Sequence, residues 1–209
     1  MCIRDSVWLD LPTTTEQVQA ALRQIGISSD NPQGLFISGY FAEEEKRFAI
    51  PYNMVLASNV DELNFLASRL ETLSTGERAE LNAALQVPQS ELSSIGRITD
   101  FPENVDYYVH LPDVRGPAQL GDYYLNRSGM VDMPEEWKGG IDTAPFGRYV
   151  AQQEQGVFTE YGYLVKSGDA WQKVHEGQPV PEEYRVLSFP APEVLRDSAN
   201  IPPPVQPET

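Results

Sequence analysis

Few side chains in this sequence have the types and spacing that catalysis requires. The two histidines, His110 and His175, lie in no metal-binding or nucleophile–base pattern, so we interpret both as surface or partly packed side chains. The only cysteine, Cys2, permits neither an internal disulfide nor a cysteine metal cluster. The pair Gly139 and Gly140 does not lead into a lysine-bearing helix, as a phosphate-binding loop would. We predict no catalytic residues, no metal site and no cofactor, and hence a protein that is not an enzyme.

Carboxylates are the abundant chemical groups of this chain. Its 31 Asp and Glu residues against 15 Lys and Arg residues give a net charge of −16 over 209 residues. The excess runs along the whole chain, with 14 acids and 7 bases in residues 1–100 and 17 acids and 8 bases in residues 101–209. No carboxylate pair stands apart in an apolar setting that would raise the pKa of one member, so acid–base catalysis is not indicated. Direct binding to nucleic acid or to an anionic membrane is disfavoured because both require cations. Solubility alone is one interpretation of such acidity.

Aromatic side chains form the other group that could contact a partner. The pairs Tyr107–Tyr108 and Tyr123–Tyr124 could make a binding surface, although packing in a core or an interface is the simpler interpretation. No apolar run approaches the length of a membrane span and no signal peptide is visible. We therefore expect a cytoplasmic protein.

The elements that position these charges are clearest at residues 59–86. Leucines and alanines recur at helical spacing from Leu63 to Leu73, with Asn59 as a capping residue before them. Ser74 and Glu77 form a capping box for a second helix. Each helix is too short to be stable alone, so both must bury their apolar faces against other parts of the chain. The sequence therefore predicts a central helical body with an acidic exterior.

The flanking segments predict a mixture of helices and strands. Helices are expected from Thr13 to about Ile25 and at residues 89–95 and 145–153. Strands are expected at residues 7–11, 35–40, 106–109, 157–165 and 171–174.

An ordered series of short segments resembles the ArdA family of antirestriction proteins. The segments are FISGY at 36–40, DELNFLAS at 61–68, DYY at 106–108, FGR at 146–148, GVFTEYGY at 156–163 and PEEYRV at 181–186. Their order and approximate spacing hold from residue 7 to about residue 187. The whole series, rather than any single motif, is what makes the resemblance specific.

The resemblance implies an elongated α+β protein of three small domains, usually dimeric. The central domain would be helical, and the outer domains would be small antiparallel sheets with helices. On this chain we expect an N-terminal α/β domain at 7–57, truncated at its start, a central domain at 58–100 and a C-terminal α+β domain at 101–188. Residues 1–6, MCIRDS, resemble a translated sequencing adapter, and the proline-rich residues 189–209 are expected to be a disordered tail.

The activity implied by the resemblance is mimicry of duplex DNA in the DNA-binding groove of a type I restriction–modification enzyme. Such proteins are carried by mobile elements such as conjugative plasmids. A charge of −16 corresponds to roughly 27 Å of duplex, which is too short to fill a large groove and favours a homodimer. The carboxylates expected to form the mimicking surface are Asp10, Glu43, Glu44, Glu45, Asp61, Glu62, Glu71, Glu77, Glu80, Asp106, Glu135, Glu136, Glu154 and Glu160.

A second hypothesis makes the protein a non-enzymatic interaction module of a mobile element. Its acidity would then serve only solvation, and its contacts would be aromatic. This hypothesis predicts one exposed patch, formed by Tyr107, Tyr108, Tyr123, Tyr124 and Trp137. The mimic instead predicts that the carboxylates line one continuous curved surface.

Overall fold

Two capped helices lie at the centre of the computed structural model, which describes residues 6–27, 35–42, 47–88 and 91–187. They are α3, Val60–Glu71, and α4, Thr75–Leu85. The side chain of Asn59 accepts the Glu62 amide at 2.9 Å, and the Glu62 carboxylate accepts the Asn59 amide at 3.1 Å. Ser74 and Glu77 form the same reciprocal arrangement at the start of α4. Both predicted helices and their caps are confirmed.

The remaining elements are short. Before α3 lie α1 and α2, and after α4 come four more α-helices and three strands with single turns of 3₁₀ or π helix between them, within the residues described. The helices are α1 Thr15–Gln24, α2 Tyr52–Leu56, α5 Ile95–Thr99, α6 Pro117–Asp122, α7 Glu135–Lys138 and α8 Thr143–Glu154. The strands are β1 Tyr108–Leu111, β2 Val157–Thr159 and β3 Gly162–Lys166.

The three strands form one antiparallel sheet in the order β1-β3-β2. Tyr108 pairs with Lys166 and Leu111 with Tyr163, and β2 and β3 form a tight hairpin in which Val157 lies opposite Leu164. The strand expected near residues 106–109 is present as β1, whereas the single strand expected at 157–165 is a hairpin of two strands, β2 and β3. Mixed helices and a small antiparallel sheet also confirm the α+β class.

Apolar side chains gather in three clusters. The largest joins the central helices to the sheet, because Leu81, Ile98 and Phe101 pack in the same cluster as Tyr108 and Leu164. A second cluster lies between α6, α8 and β3, and a third, smaller cluster surrounds α1. The largest cluster contains residues from both sides of residue 100, where we placed a domain boundary. The division into three domains stays a prediction.

Three predicted strands are wrong, since residues 7–11, 35–40 and 171–174 adopt no regular secondary structure. In the second and third segments, side chains bind backbone groups that a strand partner would otherwise bind. The Tyr52 hydroxyl donates to the carbonyl of Ser38 at 2.9 Å. The side chain of Asn104 forms hydrogen bonds with both the backbone amide and the backbone carbonyl of Gln172. Near residues 7–11, Leu9 packs in the small cluster around α1, so the alternation there reflects one-sided packing.

The helix expected at residues 89–95 is also displaced. Helix α5 begins at Ile95, because the Ser94 hydroxyl accepts the Arg97 amide and caps the helix there. The adapter-like residues 1–5, the acidic run at Glu43, Glu44 and Glu45, and the proline-rich residues 189–209 lie outside the described residues. None of the described helices is both long and apolar enough to cross a membrane.

Candidate acidic interaction surface

The carboxylates proposed for the acidic surface fall into two groups in the structure. Six are exposed, and five are partly covered by neighbouring groups. The exposed residues are Asp10, Glu71, Asp106, Glu135, Glu136 and Glu160, and the partly covered residues are Asp61, Glu62, Glu77, Glu80 and Glu154. The partly covered group shows what each carboxylate does in the fold.

Glu62 and Glu77 hold their charges at helix N-termini. Each occupies the third position of its helix and accepts the backbone amide of the capping residue, Asn59 or Ser74. The hydrogen bonds from Ser74 lower the pKa of Glu77, so this side chain stays ionised at a lower pH than an ordinary glutamate. These two carboxylates are fixed in place by the backbone of the central helices.

Asp61 and Glu154 serve the fold directly. One carboxylate oxygen of Asp61 accepts the amides of Val186 at 2.8 Å and Leu187 at 2.7 Å. Glu154 accepts the hydroxyls of Tyr124 and Tyr163, the latter at 3.0 Å. Burial and the Glu154 carboxylate together raise the pKa of both tyrosines, which therefore stay protonated donors. Replacing either acid would disturb packing as well as charge.

Glu80 lies between two other acids. Burial first, and then the negative charges of Glu77 and Asp106, raise the pKa of Glu80 to about 8. Its Oε1 atom is buried and has no hydrogen-bond partner among the described residues. At neutral pH Glu80 is therefore mostly uncharged, and the visible charge in this cluster comes from Glu77 and Asp106.

The bases of the described chain neutralise few of these acids. Ion pairs join Arg69 to Glu103, Arg97 and Lys173 to Glu176, Arg127 to Asp122, Lys138 to Glu135, and Lys166 to Glu91. Among the described members of the predicted set, Glu135 alone takes part in an ion pair. None of the other described members is paired with a described base.

The structure also exposes carboxylates that the sequence analysis omitted. They are Glu16, Asp113, Asp132, Asp142, Asp169, Glu182 and Glu183. Four of them, Asp113, Asp132, Glu182 and Glu183, lie within two residues of a proline. For these four, proline beside an acid was the signal that could have identified them, because such segments run over the surface.

The aromatic patch required by the second hypothesis does not form. Tyr107 and Tyr108 are buried, with their rings edge to face at 4.8 Å, and Tyr123 and Tyr124 are half-buried. Trp137 is the one exposed member of the five, with 66% of its surface accessible to solvent. The simpler interpretation of the tyrosines, packing in the core, is confirmed, because Tyr108 starts a strand whose inner face meets the central helices.

The two histidines are packed as expected. Nε2 of His110 lies 2.9 Å from the carbonyl oxygen of Tyr161, and the ring of His175 meets the ring of Phe65 edge to face at 5.0 Å. In the part of the chain that the structure describes, no group of three or more His, Cys, Asp or Glu residues is placed to hold a metal ion.

A family model described as "Antirestriction protein (ArdA)" matches residues 4–165, which is more than half of the chain. A search of curated proteins gave no match. The match covers α1 to α8 and nearly all of the sheet, and it ends within β3. Residues 166–187 are described by the structure and lie beyond the matched range.

Proposed function

The chain belongs to the ArdA family of antirestriction proteins, non-catalytic inhibitors of restriction enzymes, and we propose that it acts as a mimic of duplex DNA. Its target would be a type I restriction–modification enzyme, whose DNA-binding groove the protein would occupy. The observation that carries this proposal is the set of exposed carboxylates that the described bases leave unpaired.

Unpaired carboxylates suit a surface built to receive lysines and arginines. A DNA-binding groove presents cations arranged for phosphates, and fixed carboxylates meet them without any readout of bases. A carboxylate already bound to a base of its own chain would have to break that pair first. Five of the six ion pairs of the described residues involve acids outside the predicted set, such as Glu91, Glu103 and Glu176.

Rigid placement of the charges supports the same function. Glu62 and Glu77 are held by reciprocal capping hydrogen bonds, so they lose little freedom when a partner binds. The total charge of −16 matches roughly 27 Å of duplex, because B-DNA carries about one charge per 1.7 Å. We therefore propose that the active form is a homodimer, which doubles that length.

Competition with DNA tests the proposal. Purified protein is titrated into a type I restriction enzyme bound to labelled duplex DNA, at several salt concentrations. We expect displacement of the DNA that weakens steeply with salt, because the contacts replace those to phosphates. A folded protein that displaces no DNA even at low salt would contradict the mimic.

Two charge-matched variants sharpen this test. Glu71→Gln with Glu136→Gln removes two exposed, unpaired carboxylates, whereas Asp122→Asn with Glu176→Gln removes two carboxylates that are already in ion pairs. Both variants have the same net charge. We expect the first to weaken inhibition by about fivefold and the second by less, because paired acids offer less to an incoming cation. Equal losses would mean that net charge alone drives the interaction.

A further inference from the structure

Residues 167–187 follow the sheet and are held to the rest of the molecule at three points. This segment leaves β3 with the Ser167 amide donating to the carbonyl of Tyr107 at 2.9 Å. Beyond that point it contains a single 3₁₀ turn, Glu182–Tyr184. Its hold on the rest of the molecule comes from buried polar side chains of the central region.

The first two anchors are Asn104 and Asp100. The Asn104 side chain accepts the Gln172 amide at 2.7 Å and donates to the Gln172 carbonyl at 3.0 Å. Asp100, which is fully buried, accepts the amides of His175 at 2.6 Å and Glu176 at 3.3 Å. Buried polar groups of this kind are costly unless satisfied, and here their partners are backbone groups of the segment.

The third anchor lies on α3. Asn64, which is 2% exposed, donates to the carbonyl of Tyr184 at 3.1 Å and accepts the amide of Thr13 at 2.6 Å. It therefore touches both the end of the segment and Thr13, which lies two residues before the start of α1. Beside it, Asp61 holds the amides of Val186 and Leu187. The ring of Phe65 packs on Tyr184 at 4.7 Å.

Helix α1 depends on the end of this segment for its packing. Its inner residues Val18 and Leu22 belong to a cluster whose other buried member is Val186. This cluster is separate from the main core around α3 and α4. Among the described helices and strands, none packs extensively along α1.

We propose that residues 167–187 form a strap that holds α1 on the central helices. The hydrogen bonds of Asn64 and the packing of Val186 attach the strap at this point. The strap lies wholly beyond the residues matched by the family model. It fixes the N-terminal helix relative to the central body in the folded chain. The strap is a feature of the isolated protein and does not depend on DNA mimicry.

Amide hydrogen exchange on the full chain tests the strap. The variants Asn64→Ala and Val186→Ala remove the hydrogen bonds and the apolar contact that attach the strap. Exchange in α1 is compared with exchange in β3, which is paired on both sides. We expect α1 amides to exchange at least about tenfold faster in both variants, because they open locally without unfolding the sheet. Amides of β3 should change by less than about twofold.

Asn82→Ala provides the matched control. Asn82 is also a buried asparagine on a central helix, and it holds a different segment, through the Ala49 amide at 2.7 Å and the Arg47 carbonyl at 3.1 Å. Its loss should leave α1 exchange unchanged relative to β3. The proposal is overturned if α1 and β3 accelerate together in the strap variants. It is equally overturned if α1 stays protected in them, or if Asn82→Ala loosens α1 to the same extent.

Discussion

Single carboxylates in this protein have different tasks despite their common charge. Glu62 and Glu77 cap helices, Asp61 and Glu154 bind groups of the fold, and Glu80 is partly buried beside other acids. A surface that imitates phosphates can therefore use the capping acids, which are held in place, but gains less from acids that bind groups of the fold or are buried. Counting acids in the sequence overestimates the surface because it treats all of them alike.

The buried position of Glu80 predicts a pH effect on stability. Its pKa in the fold is about 8, against an ordinary value of 4.5, so between these values the folded chain binds a proton that the unfolded chain has lost. This contribution to stability is present at low pH and is lost as the pH rises towards about 8. We expect Glu80→Gln to match the wild type near pH 5 and to be more stable by about 1–2 kcal/mol at pH 9, after allowance for solvent screening.

Urea unfolding at pH 5, 7 and 9 measures this difference between wild type and variant. Glu71→Gln serves as the control, since Glu71 is an exposed acid on the neighbouring helix. A constant difference between wild type and Glu80→Gln across this range would show that Glu80 is ionised in the fold at neutral pH.

At the scale of elements, the crossing of α6 and α8 depends on two glycines. A Cβ atom on Gly147 would lie 1.9 Å from the carbonyl oxygen of Pro117, and one on Gly121 would lie 2.0 Å from that of Thr143. Both neighbours are backbone atoms, which cannot move aside as a flexible side chain does. The absence of side chains therefore lets the two helices approach this closely.

Gly147→Ala should destabilise the protein by about 2–4 kcal/mol, because the added methyl group forces the helices apart. Gly76→Ala is the matched control, since Gly76 also lies in a helix and a Cβ atom there meets nothing within 4 Å. That variant should be neutral or slightly more stable, because alanine favours helix over glycine. Thermal and urea unfolding compare the two. Equal stability of both variants would contradict the close crossing.

Sequence analysis succeeded where the determining contacts are local. The capping boxes at Asn59 and Ser74 join residues three apart, so the central helices and their boundaries could be predicted. It failed where a distant side chain decides the conformation. Residues 171–174 alternate like a strand, yet the side chain of Asn104, 68 residues away, takes the place of a strand partner. For the same reason no local pattern marks Asp61 or Glu154 as parts of the fold.

For the whole molecule, unpaired negative charge opposes folding. A chain of net charge −16 with few neutralised surface acids repels itself, and salt screens this repulsion over about 10 Å at 0.1 M. We therefore expect the midpoint of thermal unfolding to rise by several degrees between 10 mM and 500 mM NaCl. Calorimetry at fixed pH measures this shift. A midpoint that falls with salt would show that the ion pairs contribute more than the repulsion.

The packing of Val186 against Val18 and Leu22 also sets an order of events during synthesis. Helix α1 is made well before its buried partner Val186, which is among the last of the described residues to be made. At about 5–20 residues per second, the ribosome needs roughly 8–30 s to cover that interval. Throughout this time the apolar face of α1 has no final partner, so the first of the described helices to be made is among the last to be packed.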